Sequence, residues 1–306
     1  GVGGSVNTVL KPYLGNALAA TSSSSSTVVG SYDVKDDNPT VVGGNFVGAP
    51  VFIGRLTVDT KAVTPNASGV NKVYDGSTSM NNVVVGLSGK VTGDKLSISG
   101  TGAFSQKNVG TGLSYTISGV TLGSDDAANY YLSGGTNSFT GNDGVITAAP
   151  LVISTANVTK VYDRTTTASG TAVAVQGTQL FNGDTFSGGT FSFTNANAGS
   201  GNKTVTVSGV TVNDGNGGAN YSISYANNTT STISPKALTA SYSAVSKTYD
   251  GSNLTSVTGS SSDVLAGDTV NLSHTSATFS DKHAGTGKTV TVSGISISGA
   301  DAANYS

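Results

Sequence analysis

Three blocks of residues recur in the same order along this chain, and the distance between copies decides what it can fold into. Lys72-Val73-Tyr74-Asp75-Gly76 returns as Lys160-Val161-Tyr162-Asp163-Arg164 and as Lys247-Thr248-Tyr249-Asp250-Gly251, with the tyrosines 88 and 87 residues apart. Tyr115-Thr116-Ile117-Ser118-Gly119-Val120 returns as Val205-Thr206-Val207-Ser208-Gly209-Val210 and Val290-Thr291-Val292-Ser293-Gly294-Ile295. An Ala-Asn-Tyr block follows each time, at Ala128-Asn129-Tyr130, Ala219-Asn220-Tyr221 and Ala303-Asn304-Tyr305. The edges repeat too: Lys61-Ala62-Val63-Thr64 aligns with Lys236-Ala237-Leu238-Thr239, and Pro150-Leu151-Val152 holds the corresponding place between them. A period near 87 residues is far above the roughly 20 residues of a solenoid coil and close to the size of a small β-sandwich. The units are therefore set at 61–149, 150–235 and 236–306, the last lacking its closing strands. Residues 1–60 form a terminal segment that resembles the closing strands of a preceding repeat.

Within a unit, alternation such as Thr204-Val205-Thr206-Val207-Ser208 puts every second side chain on one face, the mark of a half-buried strand. Gly93-Asp94, Asn182-Gly183-Asp184 and Gly267-Asp268 interrupt the runs and read as tight turns between strands. The vocabulary agrees, with 42 Gly and many Ser, Thr, Asn and Val, while Glu is absent and there is a single Met. Such a chain favours strands and turns over helix. The expected fold is all-β: a tandem array of small two-layer β-sandwich, immunoglobulin-like domains placed end to end. The junctions Ala148-Ala149-Pro150 and Ser234-Pro235-Lys236 are short and carry no Gly/Ser tract, which predicts a semi-rigid array.

Charged residues make up 10% and the formal net charge is −2, so no basic stripe is present to engage a phosphate backbone, and nucleic acid is not an expected partner. No apolar run approaches the roughly 18 residues of a membrane helix. Cysteine is absent, which removes disulfides, thiol nucleophiles and cysteine zinc sites. No enzymatic activity is expected, because no catalytic motif stands in a context that would support it.

Three sets of residues have the ingredients of a site. Asp125, Asp126 and Asp301 fall just before Ala-Asn-Tyr blocks and Asp214 near the remaining one, where clustered oxygens suit calcium, although short Asp/Asn/Gly stretches are ordinarily turns. Lys72, Lys160 and Lys247, taken with Asn129, Asn220 and Asn304, are the components of an intramolecular Lys–Asn isopeptide bond. That bond needs a nearby acid, and Asp75, Asp163 and Asp250 follow their lysines by three residues, which in a regular strand places them on the opposite face. His274 and His283, the latter near Asp281, occur in the third unit only and read as solvated or strand-facing side chains.

The Lys-x-Tyr-Asp-Gly, Val-Ser-Gly-Val and Ala-Asn-Tyr blocks together resemble the YDG repeats of large bacterial surface and secreted proteins, including filamentous-haemagglutinin-like adhesins, over about residues 61–306. The resemblance implies an exported stalk or spacer at the bacterial cell surface or outside the cell, with no catalytic residues to transfer. Arg164 stands where the other copies have Gly, which suggests that the backbone there does not demand a positive φ in every copy. Ser31-Tyr32-Asp33-Val34 and Pro50-Val51-Phe52-Ile53 are like the last strands of a unit, and the Ser22–Thr27 tract reads as an exposed loop. Two explanations fit the matched deficit of the two ends: a window on a longer array, or a filament in which one copy completes the next by strand addition. A stalk repeat, a head-to-tail filament subunit and a glycan- or surface-binding module are thus the expected functions, with neighbouring repeats or copies of the same chain, or surface glycans, as partners.

Overall fold

The computed structural model describes residues 29–36, 40–42 and 55–306, together with the short strands Ser5–Asn7, Leu10–Leu14 and Ala17–Leu18. The Ser22–Thr27 and Pro50–Ile53 readings lie outside the described residues. The described chain is all-β: strands joined by turns, with two single-turn 3₁₀ helices at Ala127–Asn129 and Ala302–Asn304. No helix among the described residues is long and apolar enough to cross a membrane, which leaves β-barrel spanning unaddressed. Two compact units are present, 1–149 and 150–306, and each is described by itself.

In the first unit, residues from Lys61 onward form two sheets. The opening strand Lys61–Ser68 is paired antiparallel with Val84–Ser88 and parallel with Tyr130–Leu132. The larger sheet has the order Asn71–Val73, Phe139–Thr147, Gly110–Gly123, Ser97–Phe104, Ser79–Met80. The lysine strand Asn71–Val73 lies parallel to the closing strand Phe139–Thr147, with Lys72 opposite Ile146. In the preceding segment Gly30–Asp36 is paired antiparallel with Arg55–Val58, with Gly30 opposite Val58. That pairing matches Gly110 opposite Ile146 and, in the second repeat, Gly199 opposite Ile233.

The second unit repeats the scheme. Ala149–Thr155 sits between Ala172–Ala174 and Tyr221–Tyr225, and the second sheet runs Thr159–Val161, Asn228–Ser234, Gly199–Asn213, Thr185–Phe193. Its lysine strand is again parallel to the closing strand, with Lys160 opposite Ile233. The third repeat carries shorter pairs: Ser241–Ala244 with Val257–Ser260, Asn271–Ser273 with Ser296–Ser298, and Ser276–Phe279 with Val290–Ser293.

The long strand shows why the Val-Ser-Gly-Val block has its form. Val205 and Val207 are buried, and so are Val210 and Val212, so the inward parity shifts by one residue at Gly209. Gly209 has φ +63°, and Gly119 and Gly294 at the equivalent places have +62° and +65°. In the first repeat this glycine sits at a β-bulge, where the register with Ser97–Phe104 slips between Ser99 and Thr101, whereas in the second the register stays in step because Gly188, at φ +64°, turns the partner strand with it, so both halves of the strand face the core. In the second unit that core joins Val158, Tyr162, Ala168, Phe193, Val205 and Ile233 of one repeat to Tyr305 of the next.

Candidate functional site

Each lysine block closes a turn on itself. Lys72 Nζ donates to Asp75 Oδ1 at 2.5 Å and to the carbonyls of Ser77 and Ser79. Lys160 Nζ bonds the Thr165 and Thr167 carbonyls and pairs with Asp163 at 2.6 Å, and Lys247 pairs with Asp250 at 2.9 Å and donates to the Leu254 carbonyl. This corrects the expectation that Lys and Asp face opposite ways. The strand ends at Val73 or Val161, and the chain then turns, which swings the aspartate back beneath its lysine. Burial pushes the Asp75 carboxyl up, but the Lys72 ammonium and the Ser77 N–H and hydroxyl outweigh it, so the group titrates below its ordinary value. Asp163 behaves alike, burial being outweighed by Lys160 and Thr165, and at exposed Asp250 the Lys247 hydrogen bond lowers the value directly.

The aspartate also takes the N–H two residues on: Ser77, Thr165 and Ser252 each donate at 2.9 Å. This side-chain turn holds the residue between in the left-handed region, with φ +74° at Gly76, +68° at Arg164 and +80° at Gly251. The positive φ is therefore demanded in every copy, contrary to the reading of Arg164 from sequence. A side chain there costs roughly 1–2 kcal/mol. Arg164 offsets it through Nε, which lies 2.9 Å from Oδ1 of Asp268, a carboxylate only 2% exposed.

Asp268 is the centre of the seam between the second and third repeats. Tyr305 Oη donates to its Oδ2 at 2.6 Å and accepts the Leu265 N–H at 2.9 Å. The Tyr162 ring meets the Tyr305 ring edge-on, with centroids 5.6 Å apart. Burial, then hydrogen bonding to the Asp268 carboxylate, pushes the Tyr162 hydroxyl up to about 12, and the same two causes raise Tyr305. Asn304 Oδ1 accepts the Ala198 N–H at 2.8 Å, reaching back into the second repeat. In the first unit Asn129 does the same to the segment before it, taking the Val29 N–H at 2.9 Å.

The tyrosine–aspartate bond recurs inside every repeat. Tyr130 donates to Asp94 at 2.5 Å and Tyr221 to Asp184 at 2.6 Å, and each hydroxyl accepts a nearby backbone N–H, from Val91 or Phe181. Sequence reading placed these aspartates in turns and missed their partner. The available signal was the constant interval of 36 or 37 residues between the Gly-Asp turn and the Ala-Asn-Tyr tyrosine.

The proposed calcium ligands are spent on backbone donors. Asp126 Oδ2 takes the Lys95 N–H at 2.7 Å and Asp301 Oδ2 the Thr269 N–H at 2.8 Å. Asp214 accepts from Asn216, Gly218 and Asn220, and these bonds outweigh burial to hold its carboxyl below the ordinary value. Asp125 is exposed beside Lys95. Among the described residues no group of three or more acidic or imidazole side chains forms. Lys72, Lys160 and Lys247 are hydrogen-bonded within their own turns, whereas Asn129 and Asn304 reach the preceding segment and Asn220 Oδ1 accepts from Asn216, so the structure does not bring lysine and asparagine together. His274 packs edge-on against Tyr242, and the His283 N–H caps Asp281.

The third repeat departs from the others at one place. Val70 and Val158, two residues before their lysines, are 7% and 5% exposed, but Val245 is 56% exposed. Tyr74 and Tyr162 are 1% and 4% exposed, but Tyr249 is 60% exposed. Between this segment and the strand Val290–Ser293 lies a groove of about 450 Å³ lined by Val245, Lys247, Tyr249, Phe279, Lys288 and Val290 among others.

The chain matches no curated protein and no solved structure. A family model, the YDG domain, matches it three times, over residues 59–138, 147–230 and 234–306. Each match spans a lysine turn, a left-handed strand glycine and the tyrosine–aspartate bond described above, and together they cover most of the sequence, so the chain belongs to the YDG domain family.

Proposed function

We propose that this chain is a run of structural spacer repeats from an exported bacterial adhesin or surface fibre, each repeat a two-layer, immunoglobulin-like sandwich, with the second and third coupled at a shared seam. The observation that carries the reading is the seam in the second unit. A spacer keeps its ends apart more stiffly when neighbours are coupled, and there one buried carboxylate, Asp268, gathers Tyr305, Tyr162 and Arg164 from both repeats while Asn304 reaches back to Ala198. The recurrence of the Asn bond at Val29 and Asn129 supports a coupling built into the repeat itself. Family membership supports the spacer role, and the surface location is proposed with it.

Single-molecule pulling of the full chain tests this. The second and third repeats are expected to yield as a coupled event, with Asn304→Ala or Tyr305→Phe separating it into two. Independent yielding in the unmodified chain would overturn the spacer reading. Protease treatment of intact cells of the source should remove the chain, and its retention would argue against the surface location.

A further inference from the structure

We propose that Lys203 and Asn195 are positioning residues of the seam: the buried Lys203 ammonium, acting through Asn195, sets a loop of the second repeat so that the Ala198 N–H meets Asn304 of the third. The inference rests on the reading of that seam as a coupling between the two repeats, and it adds residues that hold the coupling in place from one side. The loop, residues 194–204, joins Thr185–Phe193 to its antiparallel partner and is closed by the Thr194 N–H on the Thr204 carbonyl at 3.0 Å. Lys203 shares the inward parity of Val205 and Val207 and is 7% exposed. Its Nζ donates across the loop to Asn195 Oδ1.

The same amide oxygen accepts the Asn197 N–H at 3.2 Å, a side-chain turn that folds the chain back on Asn195. With that N–H held inside the loop, the next one, of Ala198, leaves it and is donated to Asn304 Oδ1 at 2.8 Å. Asn304 is already fixed. It is 4% exposed, its carbonyl accepts the Lys236 N–H at 2.9 Å, and its own N–H is donated to the Asp301 carbonyl at 3.0 Å. The loop is the adjustable side. It carries Gly199 and Gly201, the latter at φ +66°, and it is one residue longer than its counterparts: Phe193 and Val205 are 12 positions apart, whereas Phe104 and Tyr115, and Phe279 and Val290, are 11 apart. Each additional free residue adds conformations that must be given up when the loop meets Asn304.

The other repeats separate what the lysine does from what the hairpin needs. Gln106 takes the Asn108 N–H at 2.9 Å and Asp281 the His283 N–H at 2.8 Å, so the cap recurs in every copy. The lysine does not. Leu113 faces Gly144 in the first repeat as Lys203 faces Ser231 in the second, so an apolar side chain serves the fold at this place. Lys288 in the third repeat pairs with Asp281, a carboxylate, whereas Lys203 is buried against an amide, and burial holds its ammonium below the ordinary lysine value. A buried cation with a neutral partner is a cost to the fold. What it gains is the clamp on Asn195, and through it the direction of the Ala198 N–H.

The test is amide-resolved hydrogen exchange by NMR on the full chain, read at Ala198. Asn304→Ala should speed that amide about tenfold, the worth of one hydrogen bond; an unchanged rate would overturn the seam bond and this inference together. Lys203→Leu, which copies Leu113, and Asn195→Ala should each speed the same amide about tenfold, while the Thr194 amide inside the hairpin keeps its rate. Removing a buried charge leaves the urea midpoint of Lys203→Leu unchanged or raised, which sets a positioning role apart from a general loss of structure. Combined with Asn304→Ala, Lys203→Leu should add little, because both act on one bond. Asn195→Asp should keep Ala198 protected, as Asp281 with Lys288 implies. An Ala198 amide that Asn304→Ala speeds and Lys203→Leu does not would overturn the positioning role and leave the seam standing. Effects that multiply in the double variant, or loss of protection in Asn195→Asp, would overturn it equally.

Discussion

The second and third repeats carry nearly the same lysine block, yet bury it to opposite extents. Val158 and Tyr162 are in a core, while Val245 and Tyr249 are in solvent. Local geometry does not explain this, because the lysine, the aspartate and the left-handed residue make the same turn in both. The difference is supplied from far along the chain, by Asn228–Ser234 on one side and by Tyr305 of the following repeat on the other. The lysine turn is thus a local structure that sets the direction of a tyrosine, and burial of that tyrosine is a property of its neighbours.

The largest expected effect breaks the comparison outright. Tyr162→Ala should cost about 3–5 kcal/mol, as truncation of a packed aromatic does, whereas Tyr249→Ala at the equivalent position should stay within about 0.5 kcal/mol, as for an ordinary surface change. Urea unfolding followed by circular dichroism measures both. Next, Tyr305→Phe keeps the ring and removes the donor to Asp268, leaving a buried carboxylate short of a partner at a cost of about 1–3 kcal/mol. The loss should register on unfolding of the second repeat as well as the third.

The seam also has a pH signature. Tyr162 is held at about 12 against an ordinary 10. The folded seam therefore keeps a proton that the unfolded chain gives up, so this contribution is whole below pH 10 and is lost as pH rises toward 12. Ultraviolet titration of tyrosinate should show late-titrating hydroxyls in the native chain, one fewer in Tyr162→Phe, and only ordinary ones once the chain is unfolded. The smallest effect sharpens the role of Arg164. Arg164→Ala and Arg164→Gly both lose the pair with Asp268, but only alanine keeps the strained φ, so Ala should be less stable than Gly by about 1 kcal/mol in chemical denaturation.

What could be read in advance follows the range of the interactions. The unit length, the strand alternation around Val205 and the Gly-Asp turns are local or periodic, and they stand in the sequence. The partnership of Tyr305 with Asp268 spans 37 residues, and strand alternation does not encode it; its one trace in the sequence is the constant interval to the Gly-Asp turn in each copy. The parallel placement of Thr159–Val161 beside Asn228–Ser234 is a matter of strand order, which alternation leaves open. Arg164 misled because its identity argued against a positive φ, while the constraint came from the Asp163 side chain and the compensation from Asp268. The lysine–aspartate pairing was missed because strand parity was carried past the residue where the strand ends.

Hydrogen exchange across the unmodified chain tests the central claim most directly, since it compares two copies of one motif in one molecule. The account predicts that amides at 159–162 exchange at least roughly a hundredfold more slowly than those at 246–249, because a closing strand covers only the first set. Equal protection of the two segments would contradict it.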